Sequence, residues 1–197
     1  MQMLKDSEYC MQTIKGSRFL AFARPIQGEE EAKEFLHQIR EEHPKASHHC
    51  FAWRFADGEE RMSDDGEPRG SAGAPMLKRL ISLDCVDSMV VVVRYFGGTK
   101  LGIGGLIRAY GGVVQELLEN ATFVPYQKWV SLAFSYSYSD SNIVDQVLAH
   151  CQYTLRNKEY GTQISIDVLL LESDVEEFQA KLYEPSSGRI TSSSPVP

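Results

Sequence analysis

The sequence predicts an α+β protein built of two consecutive domains, and three observations predict it. Met89-Val-Val-Val-Val93 is apolar at every position, so it reads as a central strand covered on both faces. Leu106, Tyr110, Val113, Val114 and Leu117 recur at helical spacing over residues 105–119. After Pro125-Tyr-Gln-Lys128 the pattern changes. Val130, Leu132, Phe134, Tyr136 and Tyr138 alternate with serines and an alanine, as in a half-buried strand of a new sheet. The expected domains are residues 1–127 and 128–197, with the tail after about residue 192 too polar and proline-rich to stay ordered.

The first domain reads as follows. Residues 9–14 and 18–26 are two short strands around a Lys15-Gly16-Ser17 turn. A helix over about 29–42 places Glu29, Glu30 and Glu31 at the positive end of its dipole and Ala32, Phe35, Leu36 and Ile39 on one stripe; Pro44 ends it. Residues 49–55 are β-like, Asp57-Gly58 signals a turn, and a polar loop over 63–73 leads to a short helix around 75–81. The central strand and the helix from about 105 follow, then a last strand near 122–125.

In the second domain, Ile143, Val144, Val147 and Leu148 form a helix stripe, and residues 153–159 and 163–171 are strands joined through Tyr160-Gly161. Ser173-x-x-Glu176 has the form of a capping box opening a helix with Val175, Phe178 and Leu182 inward. A short strand near 189–192 completes the order β-α-β-β-α-β, which is ferredoxin-like.

Composition is that of an ordinary soluble globular protein, 43% hydrophobic and 24% charged over 197 residues. The longest aliphatic run is far too short to span a bilayer, so no membrane association is expected. A polar N-terminus without an apolar signal core predicts a cytoplasmic location. Four cysteines without a C-x-x-C pair read as reduced, mostly buried thiols. The net charge of −7 argues against a protein that coats nucleic acid, but it is unevenly spread. Residues 57–67 hold six acids and one base, whereas residues 69–108 hold six bases and two acids. A local basic zone on an acidic protein suits recognition of one specific anion.

That zone contains Arg94-Tyr-Phe-Gly-Gly-Thr-Lys-Leu-Gly-Ile-Gly-Gly-Leu-Ile-Arg108, with glycine at 97, 98, 102, 104 and 105. Strand, glycine loop and helix N-terminus together gather backbone N–H groups, and Arg94, Lys100 and Arg108 flank them. The spacing is not that of a P-loop, because Gly97-x₄-Gly102 is followed by Ile103-Gly104. It also lacks the third glycine of the dinucleotide fingerprint. Two readings stand: an anion site, or a tight strand-to-helix turn that needs glycine for packing.

Ser63-Asp-Asp-Gly-Glu-Pro-Arg69 is the second constellation. Asp64, Asp65 and Glu67 suit a hard cation or a catalytic base, but also an ordinary acidic turn around Gly66 with Arg69 beside it. His48-His-Cys50 supplies at most two ligands to one side of a strand, so a core cysteine with satisfied histidines outweighs a metal site. The tyrosines at 136, 138 and 153 read as a buried face rather than a base-stacking row. No cofactor motif and no catalytic constellation is identified.

In order, these segments resemble the IMPACT/YigZ family: His48-His-Cys-x-Ala-Trp53, then Ser63-Asp-Asp-Gly-Glu-Pro-x-Gly-x-Ala-Gly-x-Pro75, then Val90-Val-Val-Val-Arg-Tyr-Phe-Gly-Gly-x-Lys-Leu-Gly-x-Gly-Gly105. The resemblance is close over about residues 10–125 and looser beyond. It implies an N-terminal α/β domain similar to one in a small-subunit ribosomal protein and elongation factor G, and a ferredoxin-like C-terminal domain. Eukaryotic members act in translational control through an N-terminal RWD module for which this chain leaves no room. The implied function is translation-associated binding of RNA, the ribosome, a translation factor or a nucleotide-like anion at the glycine segment. The alternative is an enzyme for an anionic small molecule, with the acidic loop facing the glycine loop across one cleft.

Overall fold

A computed structural model describes residues 1–192. The chain divides into two compact units, Met1–Tyr126 and the residues from Gln127 onward.

The first unit runs β1 (Gln2–Leu4), β2 (Glu8–Ile14), β3 (Ser17–Pro25), α1 (Glu29–Glu42), β4 (His48–Arg54), β5 (Glu60–Ser63), α2 (Gly73–Ser82), β6 (Ser88–Tyr95), α3 (Ile103–Glu119) and β7 (Phe123–Pro125). Five strands form an antiparallel sheet in the order β2-β3-β6-β4-β5, and β1 pairs with β7 in a separate ribbon. The all-valine run explains this order. Its two faces must both be covered, so β6 takes the middle. Val90 and Val92 meet α2 and α3 through Met76, Leu80, Tyr110 and Val114, while Met89, Val91 and Val93 meet α1 through Phe35, Leu36 and Ile39.

The second unit runs β8 (Trp129–Tyr136), α4 (Ser141–Ala149), β9 (Tyr153–Tyr160), β10 (Ile164–Leu171) and α5 (Val175–Tyr183). The antiparallel order β8-β10-β9, with a bridge from Phe134 to Ser192 on the free side of β8, is the ferredoxin-like arrangement. Leu132, Phe134, Ile166 and Val168 pack under Val144, Phe178 and Leu182.

Several local expectations differ from the structure. β1 and β5 show no periodicity because three or four residues are too few to carry one. The strand expected near 189–192 is reduced to the single bridge at Ser192. The alternation that suggested a long buried tyrosine row ends at Tyr136. Tyr138 lies in a 3-10 turn, exposed, with its hydroxyl donating to the Gly161 carbonyl, and Tyr153 is exposed on the edge strand. The capping box does not close: Ser173 Oγ bonds the adjacent Asp174 carboxylate, and a 3-10 turn over Glu172–Asp174 leads into α5 instead. All four cysteines are free, with Cys50 and Cys85 buried. The expected disorder of the tail falls on residues 193–197, outside the described residues.

One backbone contact fixes the end of the sheet that bears the glycine segment. The β2–β3 turn lies against the loop after β6 so closely that a Cβ on Gly97 would sit 1.9 Å from the Gly16 carbonyl carbon. Gly16 sits in the tight turn between the paired Ile14 and Ser17, and Gly97, two residues past β6, has its N–H held by Ser17 Oγ, so both backbones are tethered close to their strands. Gly97→Ala is therefore expected to lower the unfolding free energy by about 3 kcal/mol or more, at the upper end of overpacking costs. Urea unfolding followed by circular dichroism measures it; a loss under about 1 kcal/mol would show that the turn moves aside.

Candidate functional site

The acidic loop and the glycine segment meet, but inside the protein. Arg94 projects from β6 and Glu67 from the loop before α2, and both side chains are nearly inaccessible (5% and 4% exposed). Arg94 Nη1 donates to Glu67 Oε1 at 2.6 Å, and the Tyr110 hydroxyl on α3 donates to the same oxygen at 2.8 Å. Arg94 Nη2 reaches Ser17 Oγ at 3.3 Å, and that hydroxyl also accepts from the Gly97 N–H at 3.1 Å. The guanidinium stands over the rings of Phe19 and Phe96. The Cys50 thiol donates toward the Asp64 carbonyl and the Tyr110 hydroxyl. Burial, with Glu67, Asp65 and Asp64 nearby, pushes that thiol up to about 12, so Cys50 is no nucleophile. Burial pushes the Tyr110 phenol up as well.

The other two carboxylates are equally engaged. Asp64 accepts backbone N–H bonds from Gly70 (2.7 Å), Ala72 (2.9 Å) and Gly73 (2.9 Å), and so holds the start of α2. Asp65 adopts a left-handed conformation (φ 43°). Its Oδ2 accepts the His49 N–H at 2.6 Å, its Oδ1 pairs with Arg40, and its carbonyl bonds His48 Nδ1 at 2.8 Å. Ser63 Oγ accepts the Asp65 N–H, and Gly66 supplies the positive φ of the next position. Of the loop residues singled out in sequence, Arg69 is exposed and close enough to Asp64 to help keep that carboxylate ionised. The acid/base reading thus has no carboxylate at hand that lacks an internal partner, and His48, His49 and Cys50 bind carbonyls rather than sharing a ligand.

What faces outward is the segment from Phe96 to Arg108. Phe96, Gly97, Gly98, Thr99, Lys100, Gly102, Ile103, Gly104, Ile107 and Arg108 are exposed. The helix α3 begins at Gly102 without a side-chain cap and without an acid in its first turn, so its first N–H groups and dipole end are open. Lys100 and Arg108 form no ion pair among the described residues. Arg94, expected to face the same anion, is neutralised by Glu67 and unavailable to it.

The five glycines divide by cause. Gly97 answers to Gly16, Gly98 and Gly102 to positive φ, and Gly105 to the Leu101 side chain 3.1 Å from its would-be Cβ. Gly104 differs: its φ is ordinary and the nearest atom is Arg108 Nη1 at 4.0 Å. Glycine in a helix costs about 1 kcal/mol relative to alanine, and no contact within the first unit accounts for it there. Tyr110 and Ser17 were not legible as members of this network. Tyr110 reads as core by period, and Ser17 as a turn residue, because the groups they bind lie tens of residues away.

Residues 15–118 match the Impact N-terminal domain, and residues 134–189 match a domain of unknown function, DUF1949. The chain belongs to the IMPACT family. IMPACT family member YigZ of Escherichia coli K12 is 37% identical over 184 residues, covering 91% of this chain and 90% of its own length. IMPACT family member YvyE of Bacillus subtilis 168 is 34% identical over 178 residues, covering 89% and 82%. A crystal structure described as that of a hypothetical protein matches with a TM-score of 0.80 at 34% identity, over 97% of this chain and 95% of that one. No helix among the described residues is long and apolar enough to cross a membrane.

Two outcomes test the network. Arg94→Met takes from the buried Glu67 carboxylate its arginine and leaves it the Tyr110 hydroxyl and, at 3.8 Å, His48 Nε2, so it is expected to cost about 3 kcal/mol, whereas Arg94→Met with Glu67→Gln costs well below the sum of the single changes. Denaturant titration of the three variants measures this; additive losses would mean the two groups do not interact. For Asp64, burial opposes ionisation, but the three backbone N–H bonds outweigh it and hold the carboxyl below its usual range. A lowered folded pKa stabilises above the unfolded carboxylate range, and that stability is lost as pH falls through the lowered value. Asp64→Asn is expected to flatten part of the acid limb of a Tm-against-pH profile; an unchanged slope would remove Asp64 from it.

Proposed function

We propose that this IMPACT-family protein is a translation-associated binding protein that engages RNA through the open N-terminus of α3. The observation that carries the reading is the company of Gly104. It lies in the first turn of a helix whose N-terminus no side chain caps, between two exposed, unpaired cations, Lys100 and Arg108. A missing side chain at that position lets a phosphate approach the backbone N–H groups. The acid-rich remainder of the surface repels a polyanion elsewhere, which confines binding to this zone. The enzyme alternative lacks support from the site, because Asp64, Asp65 and Glu67 are all held by internal partners.

The test is a titration of fluorescein-labelled RNA followed by anisotropy at several salt concentrations. Lys100→Glu and Arg108→Glu are each expected to weaken binding about ten-fold or more and to lower the salt slope by about one. Gly104→Ala is expected to keep or raise Tm, through helix propensity, yet weaken binding. Affinity indifferent to salt and to both charge reversals would sink the proposal.

A further inference from the structure

A row of rings runs across the first unit's sheet on the face that α1 covers only in part. Tyr9 on β2 lies directly across from Phe22 on β3, with ring centroids 5.0 Å apart. Phe22 is 5.5 Å from the His43 ring, just past the end of α1, and His43 is 6.1 Å from the ring of Tyr95 at the end of β6. His43 Nδ1 and the Tyr95 hydroxyl are bonded at 3.0 Å, and the Arg18 guanidinium stacks 4.7 Å over Tyr95. Core packing does not account for the outer members. α1 packs Phe35, Leu36 and Ile39 over the middle of the sheet, and the β2 side chains on that face remain outside: Tyr9 is 56% exposed and Met11 50%.

The row, on the α1 face, reaches the end of the sheet at which the glycine segment begins; α3 lies on the other face, and the Gly16–Gly97 edge separates the two. Tyr95 is followed by the half-exposed Phe96, whose N–H donates to Ser47 Oγ, and Gly16, beside Arg18, packs on Gly97. Exposed Lys15 and Arg18 stand on the β2–β3 hairpin where the rings meet that loop. Glu8, the acid next to Tyr9, is turned to the Thr122 N–H. Rings and a stacked arginine on an open sheet face, leading into a cationic loop, match the chemistry of unpaired nucleobases joined by phosphates.

We infer that the RNA is single-stranded, with its phosphates at Lys100 and Arg108 and an unpaired base stacked on the exposed ring of Tyr9, which the half-buried Phe22 and Tyr95 support from behind. This inference rests on the RNA reading of the glycine segment and adds to it a choice between strand forms. A duplex keeps its bases inside and presents only phosphate and sugar, so it gains nothing from the rings.

The experiment uses the full chain with a labelled ten-nucleotide oligouridine and a labelled duplex RNA of the same length. Wild type is expected to bind the single strand at least ten-fold more tightly. Tyr9→Ala, at an exposed position, is expected to weaken single-strand binding about five- to hundred-fold, the usual range for one stacked base, without changing duplex binding. Tyr9→Phe keeps the ring and is expected to restore affinity. If Tyr9→Ala binds the single strand like wild type, or if both strand forms bind equally, while Lys100→Glu still weakens binding, the ring row is overturned and the glycine-segment reading stands. If Lys100→Glu has no effect on either probe, that reading falls and the row falls with it.

Discussion

The buried ion pair between Arg94 and Glu67 is the constraint on which the first unit depends. Removing two full charges from water costs several kcal/mol each, and their attraction offsets this only when every remaining donor and acceptor is well placed. Here Tyr110 and Ser17 take up the remaining capacity, and the faces of Phe19 and Phe96 receive the flat cation. Within this network, Arg94 Nε is a buried polar atom without a partner. The pair contributes little net stability by this physics. What it contributes is registration, because the acidic loop, the β2–β3 hairpin, β6 and α3 satisfy one charge centre only if all four are in place.

That centre also redistributes charge. It removes Arg94 from the basic zone and Glu67 from the acidic one, while Asp64 and Asp65 are spent on the start of α2 and on β4 with Arg40. What remains at the surface is a short positive segment whose field is not cancelled by the loop packed behind it. The acidic loop is neutralised by its own internal partners.

The sequence carried the framework clearly. The valine run determined the central strand, the stripes of α1 and α3 determined their buried faces, and the alternation from Val130 to Tyr136 determined β8. Each is a repeating pattern within one segment, which is what periodicity can report. The burial of Arg94 is a different kind of fact. It depends on Glu67 and Tyr110, which belong to other elements, and a lone arginine after an apolar strand looks the same whether it faces solvent or core. The glycines show the same division. Positive φ at Gly98 and Gly102 follows the usual preference, but the need for glycine at Gly97 arises from Gly16, eighty-one residues earlier, and no local rule signals it.

The rigidity of α3 follows from the same contacts and bears on what its open end can do. Tyr110, two turns into the helix, is held by Glu67 and packs edge-on against Phe19 at 5.2 Å. One residue on, the Gly111 carbonyl accepts from Arg79 Nε on α2 at 3.1 Å. A helix pinned there resists rotating or sliding to bury its first N–H groups, and the Gly16–Gly97 contact fixes where the preceding loop starts. The exposed donors are therefore already in position before any ligand arrives. On the proposed RNA reading, binding a polyanion would then require little reordering of the protein, so the attraction of Lys100, Arg108 and the helix end would not be consumed in forming a site. The buried ion pair anchors both ends of the glycine loop, through Arg94 before it and Tyr110 in α3 after it.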